Sequence, residues 1–147
     1  MSASGLVQLA PEHHAALTLL ADKDGVGLAE WLGRAIGDAA MCELADPLPG
    51  WHVSGAGGRV RLDHADGIRA RMRTDDARSL ATMIRDAAKK KGKFQVIELD
   101  AQVGIERVGR ALRVVDMTNA AHRTVSWSVA HQLADLLGRA ASAADRT

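Results

Sequence analysis

The sequence contains very few cysteines and aromatic residues. Cys42 is its only cysteine, which excludes an intramolecular disulfide. Three Trp, one Phe and no Tyr leave a core that has to be aliphatic. No apolar run approaches the ~20 residues of a membrane span, and no charged segment followed by an apolar run opens the chain. We therefore expect a cytoplasmic protein that does not cross a membrane, with Cys42 as a small buried residue.

Motifs of catalysis and of cofactor binding are also missing. No Ser/His/Asp or Cys/His set has the spacing of a hydrolase family. The run Gly55-Ala-Gly-Gly58 lacks the Lys-Ser/Thr and the following helix of a phosphate loop. His131 and Asp135 are spaced to share a metal ion, but two ligands do not make a site. The sequence predicts a non-enzymatic protein without a metal or a cofactor.

Charge is distributed unevenly along the chain, although the formal net charge is only +1. Residues 1–46 contain two basic and seven acidic side chains, and residues 47–147 contain the remaining 17 basic and 11 acidic ones. Asp46-Pro-Leu-Pro-Gly50 has the composition of a boundary. We predict an acidic module, residues 1–46, and a basic module, residues 51–147, with different partners or a contact between them.

The acidic module has the pattern of a strand followed by two helices. Residues 5–9 can form the strand, Pro11 suits the first turn of a helix that ends at Lys23, and Gly27 precedes a helix that ends near Ala45. Three segments resemble the ribbon-helix-helix family of DNA-binding dimers. They are Val7-Gln-Leu-Ala-Pro-Glu12, Asp24-Gly-Val-Gly-Leu28 and Ala29-Glu-Trp-Leu-Gly-Arg-Ala-Ile36.

This resemblance covers residues 5–46 and implies a homodimer whose paired strands enter the major groove. Carried over by position, the groove-facing side chains are Ser4, Leu6 and Gln8, of which Gln8 is suited to contact DNA. The alternative is a plain helical hairpin that dimerises or packs on the rest of the chain. Helical spacing predicts a buried stripe on its second helix. The stripe consists of Leu28, Trp31, Leu32, Ala35, Ile36 and Ala39.

The basic module contains an internal repeat. A shift of 53 residues places Leu80 on Leu133, Ala81 on Ala134 and Asp63 on Asp116. Each copy is predicted to be a β-hairpin followed by a helix, and the two would share one antiparallel sheet with both helices on its inner face. The predicted fold is therefore α+β, a ribbon-helix-helix-like start followed by a tandem ββα repeat. Residues 130–141 resemble small uncharacterised actinobacterial and phage proteins, which implies no activity.

The first hairpin of the basic module carries the strongest functional signal. Asp66-Gly67 marks its turn. Alternation places five arginines on the outer face, and they are Arg59, Arg61, Arg69, Arg71 and Arg73. The inner face then holds Val60, Leu62, Ile68, Ala70 and Met72. A β-ribbon fits the major groove of duplex DNA. Four lysines would add charge if the following helix folds back, namely Lys89, Lys90, Lys91 and Lys93.

These patterns leave more than one interpretation of the arginine-rich side. The leading prediction is a regulatory, dimeric DNA-binding protein. The arginines can also simply form the solvated face of an antiparallel sheet, where charge blocks pairing with the edge strands of other molecules. In a further interpretation, the acidic module docks on this face. The alternative function is a protein-interaction module, such as a phage or plasmid factor that binds a host protein, with the acidic module as its dimerisation element.

Overall fold

The structure, a computed structural model, describes residues 8–43, 47–89, 95–97 and 103–147. Within these ranges the protein is α+β, with four helices and seven strands. None of these helices combines the length and the apolar character that a membrane crossing requires. The elements in chain order are α1 (Pro11–Lys23), α2 (Leu28–Glu43), β1 (Trp51–Ala56), β2 (Arg59–His64), β3 (Arg69–Arg73), α3 (Thr74–Ala87), β4 (Gln95–Ile97), β5 (Val103–Val108), β6 (Ala111–Asp116), β7 (His122–Ser126) and α4 (Trp127–Arg146).

The strands form two antiparallel sheets where the sequence predicts a single shared one. The first sheet has the order β1-β2-β3, and the second has the order β4-β5-β6-β7, with the three-residue β4 at its edge. Each predicted hairpin gains a strand on its N-terminal side, because β1 pairs with β2 and β5 pairs with β6. Each hairpin therefore completes a sheet within its own part of the chain.

The order β-β-β-α occurs twice, as β1-β2-β3-α3 and as β5-β6-β7-α4. The helices start 53 residues apart, but β2 and β6 start 52 residues apart. The extra residue lies in the second loop. The N–H of His64 donates to the carbonyl of Ile68, whereas the N–H of Asp116 donates to the carbonyl of Ala121. Asp116 therefore corresponds in position to His64, and the sequence-based match of Asp116 to Asp63 is wrong by one residue.

Both β-β-β-α units contribute to one hydrophobic core, in which α3 and α4 pack side by side. The five inward side chains of the first hairpin are at most 1% exposed. Helix α3 buries Ala77, Leu80, Ala81 and Ile84, which recur at helical spacing along one face of the helix. Helix α4 packs on β1 and β2 of the first sheet as well as on its own strands. The helix of the second unit thus helps to cover the sheet of the first.

Helix α4 approaches β1 so closely that position 55 has room only for glycine. A Cβ added to Gly55 would lie 1.9 Å from the carbonyl oxygen of Ala140. The end of α4 is attached to the β1–β2 turn, because Gly58 donates its N–H to the Ala144 carbonyl (3.0 Å) and Gly57 donates its N–H to Thr147 Oγ1 (2.8 Å). These contacts hold the first sheet against the C-terminal helix.

The two units also meet through their loops. Asp116, whose exposure is 1%, accepts hydrogen bonds from the N–H of Arg69 (3.0 Å) and of Thr118 (2.9 Å). The side-chain amide of Asn119 donates to the carbonyl of Gly67 at 2.9 Å. A buried carboxylate that accepts two backbone donors is well satisfied. Asp116 therefore ties the start of β3 to the end of β6.

The acidic helices contact α4 and leave the first sheet open. Gly33 and Gly37 of α2 face Ser128 and Gln132 of α4, and a Cβ on Gly33 would lie 2.7 Å from the Cβ of Ser128. The charge balance suggests that the acidic module docks on the arginine-rich side, but residues 8–43 of this module pack on α4 through α2 instead. The small residues of α2 allow a close approach to α4.

Because the glycine side of α2 meets α4, the predicted buried stripe of α2 is wrong. Gly37 is the only residue of α2 that is buried. Leu32 and Ile36 are 37% and 61% exposed, and Cys42 is exposed instead of buried. Residues 8–10 are not in a strand, and residues 5–7 of the predicted strand, with Ser4 and Leu6, lie outside the described residues.

Candidate nucleic-acid interface

The outer side of the first sheet presents nine side chains in three cross-strand rows, which we call the arginine face. The five arginines are all exposed on this face. The antiparallel registers of β1-β2-β3 set the rows, because alternate residues of paired strands point to the same side. The rows are His52–Asp63–Arg69, Ser54–Arg61–Arg71 and Ala56–Arg59–Arg73.

Asp63 is the acidic residue of this face, and two arginines bind it. Arg71 Nη1 donates to Asp63 Oδ1 at 3.0 Å, and Arg61 Nε donates to Oδ2. Partial burial acts to raise the pKa of the Asp63 carboxyl, but the hydrogen bonds and charges of Arg61 and Arg71 outweigh it and hold the pKa below the ordinary value of 3.8. Asp63 is therefore ionised at neutral pH and offsets one positive charge.

The nine side chains of the arginine face include one carboxylate, that of Asp63. Five arginines and one aspartate leave a formal charge of +4. Arg61 lies directly opposite Arg71, and Arg59 lies opposite Arg73. Like charges in directly opposed positions destabilise a sheet. No described residue forms an ion pair or a side-chain hydrogen bond with the side chain of Arg69 or Arg73. An anionic partner would relieve this repulsion.

A cleft of about 390 Å³ lies at one end of the arginine face, and its lining includes Arg61, Arg69 and His64. The His64 side chain is 7% exposed, and its ring centroid lies 4.5 Å from that of Trp51. His64 Nδ1 accepts a hydrogen bond from the N–H of Asp66 at 2.9 Å. Alternation along β2 does not identify His64 as a site residue, because it precedes the Asp-Gly turn and its burial depends on the loop that contains Gly50.

Burial lowers the pKa of His64, and the charge of Arg123 lowers it further against the opposing effect of Asp66. Burial also lowers the pKa of His131 on α4, as does Arg34, while Glu30 and Asp135 act in the other direction. Both histidines are therefore neutral in the folded protein at neutral pH.

These two shifts predict that mild acid destabilises the fold. The folded pKa values lie below the ordinary value of 6.5, so the unfolded chain takes up protons first as the pH falls. The stabilisation should be complete above about pH 6.5 and should be lost as the pH falls through the folded pKa values. Urea unfolding across this range should show the decline, and a His64→Gln/His131→Gln variant should show a flatter profile. An unchanged profile in the double variant would contradict this assignment.

The other predicted contact residues do not join the arginine face. Lys89 is exposed just beyond α3, about 20 Å along the helix axis from Arg73, and α3 covers the opposite side of the sheet. Lys90, Lys91 and Lys93 lie outside the described residues. Gln8 is exposed ahead of α1, whose main neighbour is α2. The structure therefore brings together the five arginines and adds His52, Asp63 and His64 beside them.

No family model, curated protein or solved structure matches this chain. The side-chain geometry of the arginine face therefore carries the functional conclusion.

Proposed function

We propose that this protein is a non-enzymatic, regulatory DNA-binding protein that contacts the duplex through the arginine face. The observation that supports this most is the cross-strand opposition of arginines on an exposed sheet, with a formal charge of +4 and one carboxylate. If this face contacted only water, side chains of opposite charge in the directly opposed positions would make the sheet more stable. A phosphate backbone instead neutralises several arginines at once.

The dimensions of β2 and β3 suit a groove of DNA. Five to six residues at about 3.3 Å each make a ribbon about 16–20 Å long, and a two-stranded ribbon fits a major groove about 12 Å wide. Arg guanidinium groups can bind phosphates or the edge of guanine in a bidentate manner. Arg61 and Arg71 are held by Asp63, whereas Arg69 and Arg73 extend from the edge strand. The first pair is positioned to order the face, and the second pair is positioned to reach the duplex.

The affinity for random duplex DNA should fall steeply with salt. Each arginine that contacts a phosphate should add about −0.9 to the slope of log K against log salt, so Arg69 and Arg73 alone should give a slope of about −1.8. Fluorescence anisotropy with a labelled duplex across a salt series measures this slope directly. Retention of the duplex at low salt with a slope near zero, or no binding at all at low salt, would overturn the proposal.

We propose that the protein is a homodimer formed through α1 and α2. These helices bury only Ala21 and Gly37 within the chain, while Leu19 and Ile36 are 70% and 61% exposed. If the two helices share one apolar surface, that surface marks an interaction site. A ribbon-helix-helix arrangement would cover this surface with the same helices of a second copy.

Charge on this apolar surface should dissociate the dimer. A Leu19→Glu/Ile36→Glu variant would place four carboxylates in the interface of a two-fold dimer, so we expect a monomer by light scattering at concentrations where the original protein is dimeric. Met117→Glu is the matched control, because Met117 is also an exposed apolar residue (41%) but lies on the β6–β7 turn. A monomeric original protein, or a dimer that persists in the double variant, would exclude this interface.

The exposed apolar helices also favour a second candidate function, a protein-interaction module. The acidic helices α1 and α2, on which Leu19 and Ile36 are exposed, would then bind a different protein, as a phage or plasmid factor binds a host protein. Two results together would favour this candidate over DNA binding. The protein would retain a partner protein that the Leu19→Glu/Ile36→Glu variant does not retain, and it would not bind DNA at low salt.

We also propose that the two β-β-β-α units descend from one duplicated segment. The equal element order and the offsets of 52 and 53 residues support this interpretation. The predicted ββα repeat then corresponds to the last two strands and the helix of each unit.

A further inference from the structure

We propose that the cleft at the end of the arginine face binds a phosphate monoester, with His64 Nε2 as a hydrogen-bond donor and Arg69 and Arg61 as the cationic groups. The chemistry is shared by the 5′-phosphate at the end of a nucleic-acid strand and by a free nucleoside monophosphate. The strand end as the source rests on the proposed DNA binding, whereas the site itself does not.

The donor is set by the surroundings of the His64 ring. Nδ1 accepts the N–H of Asp66 at 2.9 Å, so the neutral ring carries its proton on Nε2. No described residue accepts a hydrogen bond from Nε2. Nε2 is not one of the buried side-chain atoms that lack a partner, so this nitrogen is open to the cleft and can donate to a ligand oxygen.

Gly50 keeps this donor accessible from the cleft. A Cβ added to Gly50 would lie 3.1 Å from His64 Nε2, and Gly50 has a φ of +86° that side chains rarely adopt. Gly50 and His64 both line the cleft. A larger residue at position 50 would therefore cover Nε2, and the glycine leaves the ring nitrogen open to a ligand.

The charges around the cleft favour a dianion. Arg69 has no side-chain partner among the described residues, and Arg61 shares its guanidinium with Asp63. Asp63 also lines the cleft, and Asp66 lies beside it. Both carboxylates are already paired, because Arg61 and Arg71 bind Asp63 and Arg123 binds Asp66 at 3.3 Å. A phosphate monoester carries about −1.5 to −2 charges at pH 7 and three acceptor oxygens. An internal phosphodiester carries only one negative charge and would interact more weakly with Arg61 and Arg69.

A cation is a poorer occupant than an anion. The described residues contain no group of three His, Cys, Asp or Glu side chains arranged to hold a metal ion. His52 and Asp63 are opposite each other in the register, but two guanidinium groups border the same cleft. The positive charge of Arg61 and Arg69 repels a metal ion and attracts a phosphate.

The test compares one short duplex with and without a 5′-phosphate, by anisotropy at constant salt. We expect the phosphorylated duplex to bind at least about tenfold more tightly. The ratio of the two affinities should fall to about twofold or less in His64→Gln and in Arg69→Gln. Because the ratio is the readout, a general loss of DNA affinity does not imitate the effect. The exposed Arg69 provides a variant that keeps the buried ring, and His122→Gln on β7 is the control that should retain the preference.

A second measurement distinguishes a strand end from a free nucleoside monophosphate as the ligand. It also tests the phosphate site independently of the proposed DNA binding. Inorganic phosphate and a nucleoside 5′-monophosphate are titrated while the ring resonances of His64 are followed by NMR. Shifts of these resonances with no discrimination between duplex ends would support the site with a free monoester as its source. This readout decides the site even if neither duplex binds, a result that would remove the proposed DNA function. Unshifted resonances together with a ratio near one, or together with no binding of either duplex, would overturn the inference.

Discussion

An Arg69→Glu/Arg73→Glu variant is expected to bind duplex DNA roughly 100-fold more weakly than the original protein at moderate salt. Each substitution removes a cation that can neutralise a phosphate and adds an anion that repels one. The salt slope should become shallower by about two. Fluorescence anisotropy over the same salt series gives both quantities from one set of titrations.

These two arginines are chosen because the fold does not use their side chains. Arg71 and Arg61 bind Asp63, so glutamate at either position would break an ion pair of the sheet as well as add a carboxylate. Glutamate at position 69 would also lie opposite Asp63, but Arg61 and Arg71 would still neutralise the Asp63 carboxylate. Arg73 precedes α3 as its N-cap residue, where a negative charge is favourable to the helix dipole. A thermal unfolding curve close to that of the original protein should accompany the loss of DNA binding.

An Arg110→Glu/Arg139→Glu variant is the matched control. Both residues are exposed, Arg110 in the β5–β6 turn and Arg139 on α4, and neither lies on the arginine face. The formal net charge changes by the same amount in both variants, so an effect of overall charge would weaken both equally. We expect the control to lose less than about threefold in affinity. Equal losses would show that the position of the arginines is irrelevant.

Gly55→Ala is expected to be the most destabilising single-methyl change in the first sheet, with a loss of about 3 kcal/mol or more. The new Cβ would overlap the carbonyl oxygen of Ala140, 1.9 Å away, and would lie 3.1 Å from the Cβ of Ala144. A backbone atom cannot move to another rotamer, so β1 and α4 would have to separate. Domain stability is typically about 5–15 kcal/mol, so this loss would be a large fraction of it.

Gly138→Ala provides the control on the same helix. Gly138 has no neighbouring atom within 4 Å of an added Cβ, so alanine there should increase the free energy of unfolding by about 0.5–1 kcal/mol through helix propensity alone. Urea denaturation measures the change in the free energy of unfolding for both variants, and the two changes should have opposite signs. If Gly55→Ala stayed within about 1 kcal/mol of the original protein, the close approach of α4 to β1 would not be a stabilising contact.

Local periodicity predicted the arginine face. Successive residues of a strand point to opposite sides of the sheet. Val60 and Leu62 therefore face inward, and Arg59 and Arg61 face outward. Two local signals also predicted helix starts. Pro11 marks the start of α1, and Gly27 directly precedes the start of α2. These features depend on residues a few positions apart, and the sequence contains all the information that they require.

The apolar stripe of α2 shows where local patterns stop being sufficient. Helical spacing identifies Leu32 and Ile36 as residues of one face, but it does not identify the surface that covers them. Gly33 and Gly37 permit a closer approach to α4, and this contact turns the apolar face outward. The same residues that predict burial therefore mark the proposed dimer surface.

The sequence by itself determined the two faces of the first hairpin and the starts of α1 and α2. The tertiary structure decided that the strands form two sheets, that α4 covers β1, and that Asp116 accepts the N–H of Arg69. It also decided the burial of His64 beside Trp51. The physical reason is that these contacts join surfaces far apart in the chain, and shape complementarity between such surfaces has no local period.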